Sequence, residues 1–149
     1  MENTVRFGRE IKSISNLMKR LIGNCESGKY IDEVTGNNAF IIGYLADHRE
    51  QDVFQKDLEE VFSVRRSTMS RIIFRMEQKG FLVRVPVDHD ARLKKLVLTE
   101  KGGEIHTLME ANIIAAEQKL TQGFSEKEKE TLLRLLQKLR ANLESDTKS

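Results

Sequence analysis

The chain has 149 residues, 39% of them hydrophobic and 32% charged, with a formal net charge of +2; this composition suits a folded, highly charged helical domain better than a disordered chain. No apolar run reaches the ~18 residues that a membrane span needs, and the N-terminal residues mix acids with bases, so we expect neither a membrane helix nor an export signal. The single cysteine, Cys25, excludes an intramolecular disulfide and favours a reducing compartment, so the sequence predicts a cytoplasmic protein.

The N-terminal part of the chain predicts two helices separated by a loop. Apolar residues three and four positions apart, from Phe7 onward, predict an amphipathic helix over roughly Asn3 to Ile22. The stretch GNCESGKYIDEVTGNN is rich in Gly, Asn and Ser and therefore predicts a loop. The following NNAFIIGYLADHR predicts a mostly buried helix, with Thr35 or Asn37 as its N-cap.

The middle of the chain combines two more helices with a β-hairpin. A short helix at about Phe54 to Phe62 is followed by a turn at Ser63-Val64 and by a longer helix ending at Gly80, a residue suited to the C-terminal cap. Residues 81–85 and 94–98 are β-prone, and the polar run between them predicts the tip of a two-stranded hairpin.

Two long helices close the chain. Thr99 is placed to cap the first of them, whose apolar residues run from Ile105 to Leu120. The second opens with the S-x-x-E pattern of a capping box, from Ser125 to Glu128, and carries a broad leucine face. That face is too wide for a terminal helix that nothing covers, so it predicts packing within the chain or against a second copy.

The order of these elements is that of a winged helix-turn-helix, in which the second helix enters the major groove and the hairpin reaches the backbone or minor groove. The predicted fold class is therefore mainly α with a small β-hairpin. The face of the longer helix that is predicted to be buried holds Met69, Ile72, Ile73 and Met76. The opposite face carries Arg and Ser and has no acid before Glu77, which favours DNA over an ordinary solvated surface.

Charge is concentrated in one part of the chain. From Arg65 to Lys95 there are nine bases and three acids, so this basic segment is strongly positive and the remainder is acidic. A basic segment in an otherwise acidic chain is typical of a polyanion-binding face. Charge alone leaves an ordinary solvated surface open as the alternative.

The run SVRRSTMSRIIFRMEQKGFLVRVPVDHDARLKKLVLTEKG resembles the core of the MarR family of transcriptional regulators. The recognition helix and the residues after it match at Ser70-Arg71, Arg75-Met76, Lys79-Gly80-Phe81 and Arg84. The wing signature, Asp-x-Arg followed by an apolar strand and Leu-Thr-x-x-Gly, matches at Asp90, Arg92, Leu98, Thr99 and Gly102. The resemblance extends over nearly the whole chain, and the wing signature is its more specific part.

The resemblance implies a homodimeric regulator that binds a near-palindromic operator in double-stranded DNA and acts as a repressor responsive to a small-molecule effector. It implies one MarR-like unit over residues 1–149, with dimerisation helices at residues 3–24 and 103–145. The winged helix DNA-binding lobe then covers residues 35–102, with its wing at residues 81–98. The effector would bind where the dimerisation helices meet that lobe, and no cofactor is implied.

The resemblance also assigns residues to the DNA contact. In the recognition helix these are Arg65, Arg66, Ser67, Thr68, Ser70, Arg71 and Arg75. In the wing, Arg92 is expected to enter the minor groove, whose negative potential favours a guanidinium, and Asp90 to hold it by a salt bridge. The expected phosphate contacts are Arg84, Lys94 and Lys95. Because Arg65 is a poor N-cap, the first turn of this helix is either capped by Ser63 or ordered on DNA.

Two other functions stay open. A metal- or redox-sensing regulator would use Cys25, His48, His106 or the Asp88-His89-Asp90 run, but none of these has the spacing typical of metal ligands. No cation beside Cys25 indicates a thiol with a lowered pKa. A winged helix that contacts only protein is the second alternative. The sequence holds no phosphate-binding loop, nucleophile elbow or HExxH motif, so it does not predict an enzyme.

Overall fold

The structure is a computed structural model that describes residues 6–147 and, among these, the side chains of residues 6–146. Its elements in chain order are α1 (Phe7–Gly23), α2 (Glu26–Thr35), α3 (Ala39–Asp47), α4 (Gln55–Phe62), α5 (Arg66–Gln78), β1 (Leu82–Val87), β2 (Asp90–Leu98), α6 (Glu100–Leu120) and α7 (Glu126–Thr147). The predicted class, mainly α with one small hairpin, is confirmed. The predicted start of the first helix at Asn3 lies outside the described residues. No helix in the described part of the chain is long and apolar enough to cross a membrane.

The chain forms two compact units, Met1–Ile113 and Ile114–Ser149. The core of the first unit is built from α2, α3, α4, α5, the hairpin and the beginning of α6. On α5, Met69, Ile73 and Met76 are fully buried at spacings of four and three, and Ile72 packs against them half-buried. The buried face predicted for the recognition helix, α5, is therefore confirmed.

The predicted loop after the first helix is wrong, because Glu26–Thr35 forms the helix α2. The thiol of Cys25 caps this helix by accepting the backbone N–H of Gly28 at 3.3 Å. Gly28 is buried, and a β-carbon there would overlap the carbonyl oxygen of Ile22 at the end of α1. This glycine therefore permits close packing of two helices, whereas the glycine content of the stretch was interpreted as the sign of a loop.

The predicted N-caps of α3 are also wrong. Thr35 is the last residue of α2, and its hydroxyl donates to the carbonyl of Ile31 at 2.7 Å. Gly36 and Asn37 both have positive φ, 60° and 65°, and end α2. The N-cap of α3 is Asn38, whose side-chain amide donates to Gly36 O at 3.0 Å. Thr35, Gly36 and Asn37 thus end α2, a helix that the sequence did not predict. They therefore do not serve as the N-cap of α3.

The caps of the last two helices are as predicted. The hydroxyl of Thr99 accepts the backbone N–H of Gly102 at 3.1 Å at the start of α6. Ser125 Oγ accepts the N–H of Glu128 at 3.1 Å, and Glu128 Oε1 accepts the N–H of Ser125 at 3.2 Å. Because both orphan donors are paired reciprocally, the capping box of α7 is complete.

The wing is longer than the two predicted strand segments. β1 and β2 pair antiparallel from Leu82↔Leu98 to Pro86↔Lys94, and a register shift follows Pro86. Beyond the hairpin itself, the backbone N–H of Leu96 donates to Val53 O at 2.7 Å. The base of the wing is therefore hydrogen-bonded to the segment that precedes α4.

Two helices expose broad apolar faces. None of the described residues of α1 is buried, and its exposed apolar side chains are Phe7, Ile11, Ile14, Leu17 and Leu21. In the second unit, the exposed apolar side chains of α7 are Leu132, Leu133, Leu135, Leu136, Leu139 and Leu143. Contiguous apolar faces of this size are typical of protein contact surfaces.

Candidate nucleic-acid interface

The exposed face of α5 is positively charged. Arg66, Arg71 and Arg75 are exposed, as is Arg65 immediately before the helix, and none of the four has an acidic partner within the described residues. Ser67 is exposed, and Thr68 and Ser70 are half-buried. The phenyl ring of Phe74 lies on the same side with 52% of its surface exposed, and no contact in the structure gives it a role. The face combines free guanidinium groups with short hydroxyl side chains.

The N-terminus of α5 concentrates positive charge. Arg65 occupies the N-cap position in an extended conformation, and its own side chain makes no capping hydrogen bond. Ser63, the alternative predicted cap, ends α4 with φ 52°. A helix N-terminus carries partial positive charge, and Arg65 and Arg66 add full charges to it.

α4 contacts α5 through one polar side chain that the sequence analysis missed. Gln55, the first residue of α4, donates from Nε2 to the hydroxyl of Ser70 at 2.8 Å and lies 3.4 Å from the carbonyl oxygen of Arg66. Both Gln55 and Ser70 are half-buried. No local signal in the sequence indicated this contact, because the partners of Gln55 lie 11 and 15 residues away.

The wing tip carries an exposed arginine, Arg92. Oδ1 of Asp90 accepts the backbone N–H of Arg92 at 2.9 Å and lies 3.6 Å from Nε of the same residue. The side chain of Arg92 is 95% exposed, so its guanidinium points into solvent. Asp88 and His89 are exposed at the turn. No group of three potential metal ligands occurs among the described residues.

The three bases predicted to contact phosphates have different surroundings. Arg84 Nε lies 3.6 Å from Glu77 Oε1 of α5, and Lys95 Nζ lies 3.3 Å from Asp52 Oδ1. In the register of the hairpin, Arg84 pairs with Leu96 and shares the face toward α5, whereas Lys95 lies on the opposite face. Lys94 is exposed and has no acidic partner in the described residues.

Comparison with known proteins identifies the family. Residues 33–93 match the model of the MarR family. The helix-turn-helix type transcriptional regulator YybA of Bacillus subtilis (strain 168) is 30% identical over 138 residues, which are 93% of this chain and 89% of that protein. The chain belongs to the MarR family of transcriptional regulators. This family consists of regulators of transcription and not of enzymes.

Solved structures agree with the MarR assignment. The transcription regulator MarR from Oenococcus oeni PSU-1 is 28% identical and superimposes with a TM-score of 0.77 over 91% of this chain and 99% of that chain. A MarR family regulator from Listeria monocytogenes, solved with a 26mer DNA, is 23% identical with a TM-score of 0.79, over 96% of this chain and 92% of that one. The second likeness shows the shared winged helix fold.

The cysteine of this MarR family member has an environment that its sequence did not indicate. Its thiol is exposed, and hydrogen bonds from the Ser27 hydroxyl and from the backbone N–H of Gly28 lower the pKa of Cys25. The Sγ of Cys25 and the Oγ of Ser27 are 3.5 Å apart. The pKa is lowered by hydrogen bonding and not by a neighbouring cation, which is the only cause that the sequence analysis considered.

Proposed function

We propose that this protein binds a near-palindromic operator in double-stranded DNA as a homodimer, and that it is a repressor which a small-molecule effector releases. The observation that carries the proposal is the exposed face of α5, where the guanidinium groups of Arg66, Arg71 and Arg75 lack acidic partners in the described structure. Like charges one turn apart on a helix repel by roughly 0.2–0.5 kcal/mol a pair, and a bound polyanion would relieve this repulsion.

The recognition helix would divide its contacts between bases and phosphates. Arg71 and Arg75 lie one turn apart on the outer face of α5, from where a guanidinium can bond guanine O6 and N7 in the major groove. Ser67, Thr68 and Ser70 supply hydroxyl groups along the same helix. Arg65 and Arg66 stand at its N-terminus, where the helix dipole and their charges both favour a phosphate.

The wing would add a minor-groove contact. The extended guanidinium of Arg92, held by Asp90, suits the negative potential of a narrow minor groove. Lys94 is free to contact a phosphate. Arg84 and Lys95 would first have to exchange a carboxylate partner for a phosphate. We therefore assign them smaller contributions to the binding free energy than that of Lys94.

The homodimer would cover the exposed apolar faces of α1 and α7. The helices in residues 3–24 and 103–145 serve dimerisation in this proposal, and residues 35–102, with the wing at 81–98, form the DNA-binding lobe. A two-fold axis lets one self-complementary surface serve both chains. It also places two recognition helices in major grooves about one helical turn apart, which a near-palindrome requires.

The first unit holds open cavities large enough for an effector. One of about 710 Å³ lies between the end of α3, β2 and the start of α6, and is lined in part by Leu45, Val53 and Thr107. Another of about 470 Å³ lies between α2 and α6, next to Tyr30 and Phe81. Both volumes fall in the range of small-molecule sites.

Selection of bound sequences from a random duplex pool tests the proposal. We expect enrichment of a near-palindrome with half-sites one helical turn apart. Failure to enrich any sequence would contradict it. A steep fall of duplex affinity with salt, abolished by combined Arg71→Ala and Arg92→Ala substitution, would exclude a winged helix that contacts only protein. We place this activity in the cytoplasm and assign the protein no catalytic step.

One observation favours a second candidate function, redox sensing. Cys25 is an exposed thiol whose pKa is lowered by Ser27 and Gly28, and thiolates react fastest with oxidants. In that case peroxide would release the protein from its operator, and Cys25→Ser would abolish the release. Equal release of both proteins, or of neither, would leave the small-molecule effector as the signal.

A further inference from the structure

We propose that Gln55 is a positioning residue that sets the hydrogen-bonding direction of Ser70, so that Ser70 presents a donor to the DNA. The inference rests on the proposed function, because it requires α5 to lie in the major groove. It deepens that function by adding a residue of α4 to the specificity of the recognition helix.

The contacts of the Gln55 amide fix its orientation. Nε2 lies 2.8 Å from Ser70 Oγ and 3.4 Å from the carbonyl oxygen of Arg66. A backbone carbonyl only accepts hydrogen bonds, so the amide must turn its nitrogen, and not Oε1, toward Arg66. The same nitrogen faces Ser70. Gln55 is therefore the donor, and the hydroxyl oxygen of Ser70 is the acceptor.

Gln55 also occupies the site to which a helical serine would otherwise donate. Serine and threonine hydroxyls inside helices commonly donate to the carbonyl four residues back, as Thr107 does to Gly103 O at 3.1 Å. For Ser70 that carbonyl belongs to Arg66, which already accepts the helical N–H of Ser70. With Gln55 against the same oxygen, this acceptor is less accessible to the Ser70 hydroxyl.

The hydrogen of the Ser70 hydroxyl is thereby left for an acceptor outside the protein. Ser70 makes no other side-chain hydrogen bond within the described residues. In the major groove the acceptors are guanine N7 and O6, adenine N7 and thymine O4, whereas cytosine presents the N4 amino donor. A fixed donor at Ser70 therefore selects against cytosine at the base it faces.

The test compares sequence selection by the full-length wild type with that by Ser70→Ala, Gln55→Met, Gln55→Glu and the Ser70→Ala/Gln55→Met double variant. Methionine keeps the length of the side chain without its amide. Lys29→Met, at an exposed position of α2 outside the proposed DNA and dimer contacts, is the matched control and should select like the wild type. Thermal unfolding of each variant shows whether it is folded.

We expect Ser70→Ala to lose roughly threefold to tenfold in preference at one base position of each half-site, the range of a single hydrogen bond. Gln55→Met should lose preference at that same position, and the double variant should lose no more than Ser70→Ala alone. Gln55→Glu offers Ser70 only an acceptor. The hydroxyl then donates to the carboxylate, and the preference at that position should move toward cytosine or the adenine amino group.

Other outcomes overturn the inference. If Gln55→Met binds all duplexes equally weakly but keeps the wild-type base preferences, Gln55 only supports the packing of α4. If the losses of the two single variants add, Gln55 contacts DNA itself. Should the wild type enrich no sequence, the proposed function fails together with this inference; if the wild type enriches a palindrome that Gln55→Met and Gln55→Glu select identically, only the inference fails.

Discussion

Oδ1 of Asp90 holds Arg92 at two points, its backbone N–H at 2.9 Å and its side-chain Nε at 3.6 Å. The first contact shapes the wing tip, and the second directs a guanidinium that is otherwise almost fully exposed. An exposed ion pair contributes little to stability, since water screens it and the arginine loses side-chain entropy. The pair is therefore better explained by the proposed contact of Arg92 with DNA than by a contribution to the stability of the fold.

Asp90→Ala should weaken operator binding by roughly threefold to tenfold, because Arg92 must then be ordered when DNA binds. Arg92→Ala should weaken it at least as much, and the double variant no more than Arg92→Ala. The free energy of unfolding should change by less than about 0.5 kcal/mol in each. Fluorescence anisotropy and urea titration measure the two quantities. A large loss of stability in Asp90→Ala would assign the residue to folding instead.

Arg71→Ala should cost roughly 1–3 kcal/mol of binding free energy on the selected operator and less on random DNA, if the guanidinium reads a base. Competition titrations with both duplexes at one salt concentration measure the difference. Lys29→Ala on α2 is the control, since it removes an exposed base outside the proposed DNA and dimer interfaces. Equal losses on the operator and on random DNA would show that Arg71 contacts only phosphate.

Lys94→Ala and Lys95→Ala should differ although the two lysines are adjacent. Lys94 is free, so its removal should flatten the dependence of log affinity on log salt by about one unit. Lys95 lies on the other face of the hairpin beside Asp52, so its removal should have a smaller effect on that slope. Affinities at several salt concentrations test this. A larger effect for Lys95 would mean that the Asp52 pair breaks on DNA.

Gly28→Ala should destabilise the protein by roughly 1–3 kcal/mol, because its β-carbon would overlap Ile22 O and force α1 and α2 apart. Gly8→Ala is the control within α1, where a β-carbon would meet nothing within 4 Å. There the loss of unfolded-state entropy should stabilise the helix by about 0.4–1 kcal/mol. Urea unfolding of both variants measures the contrast. Similar values for both would show that α1 and α2 separate at no cost.

Local patterns in the sequence predicted much of the fold. The spacing of Met69, Ile73 and Met76 fixed which side of α5 is buried, and the caps at Thr99 and Ser125 gave the starts of two helices. These features depend on residues within one or two turns of each other. They were predictable for that reason.

Features that depend on distant partners were not predictable. Position 28 requires glycine because the carbonyl oxygen of Ile22 fills the space that a β-carbon would take. Composition does not show this requirement. Lys95 meets Asp52 43 residues away, and Ser70 meets Gln55 15 residues away. The basic residues of the candidate site were named from the exposed helix face, the local charge and the family resemblance, but which of them lack an acidic partner follows only from the packing of the chain.

The hydrogen bond from Leu96 N–H to Val53 O divides the wing into two parts. Below it the hairpin belongs to the folded body of the first unit. Above Pro86, where a proline without N–H and the register shift interrupt the ladder, no hydrogen bond in the described residues joins 87–93 to an element outside the wing. In the proposed complex, the tip can therefore adjust its conformation to the width of the DNA groove. The base of the wing meanwhile keeps its hydrogen bond to the folded body. Tolerance of varied DNA flanks and strict reading by α5 would then coexist in one small chain.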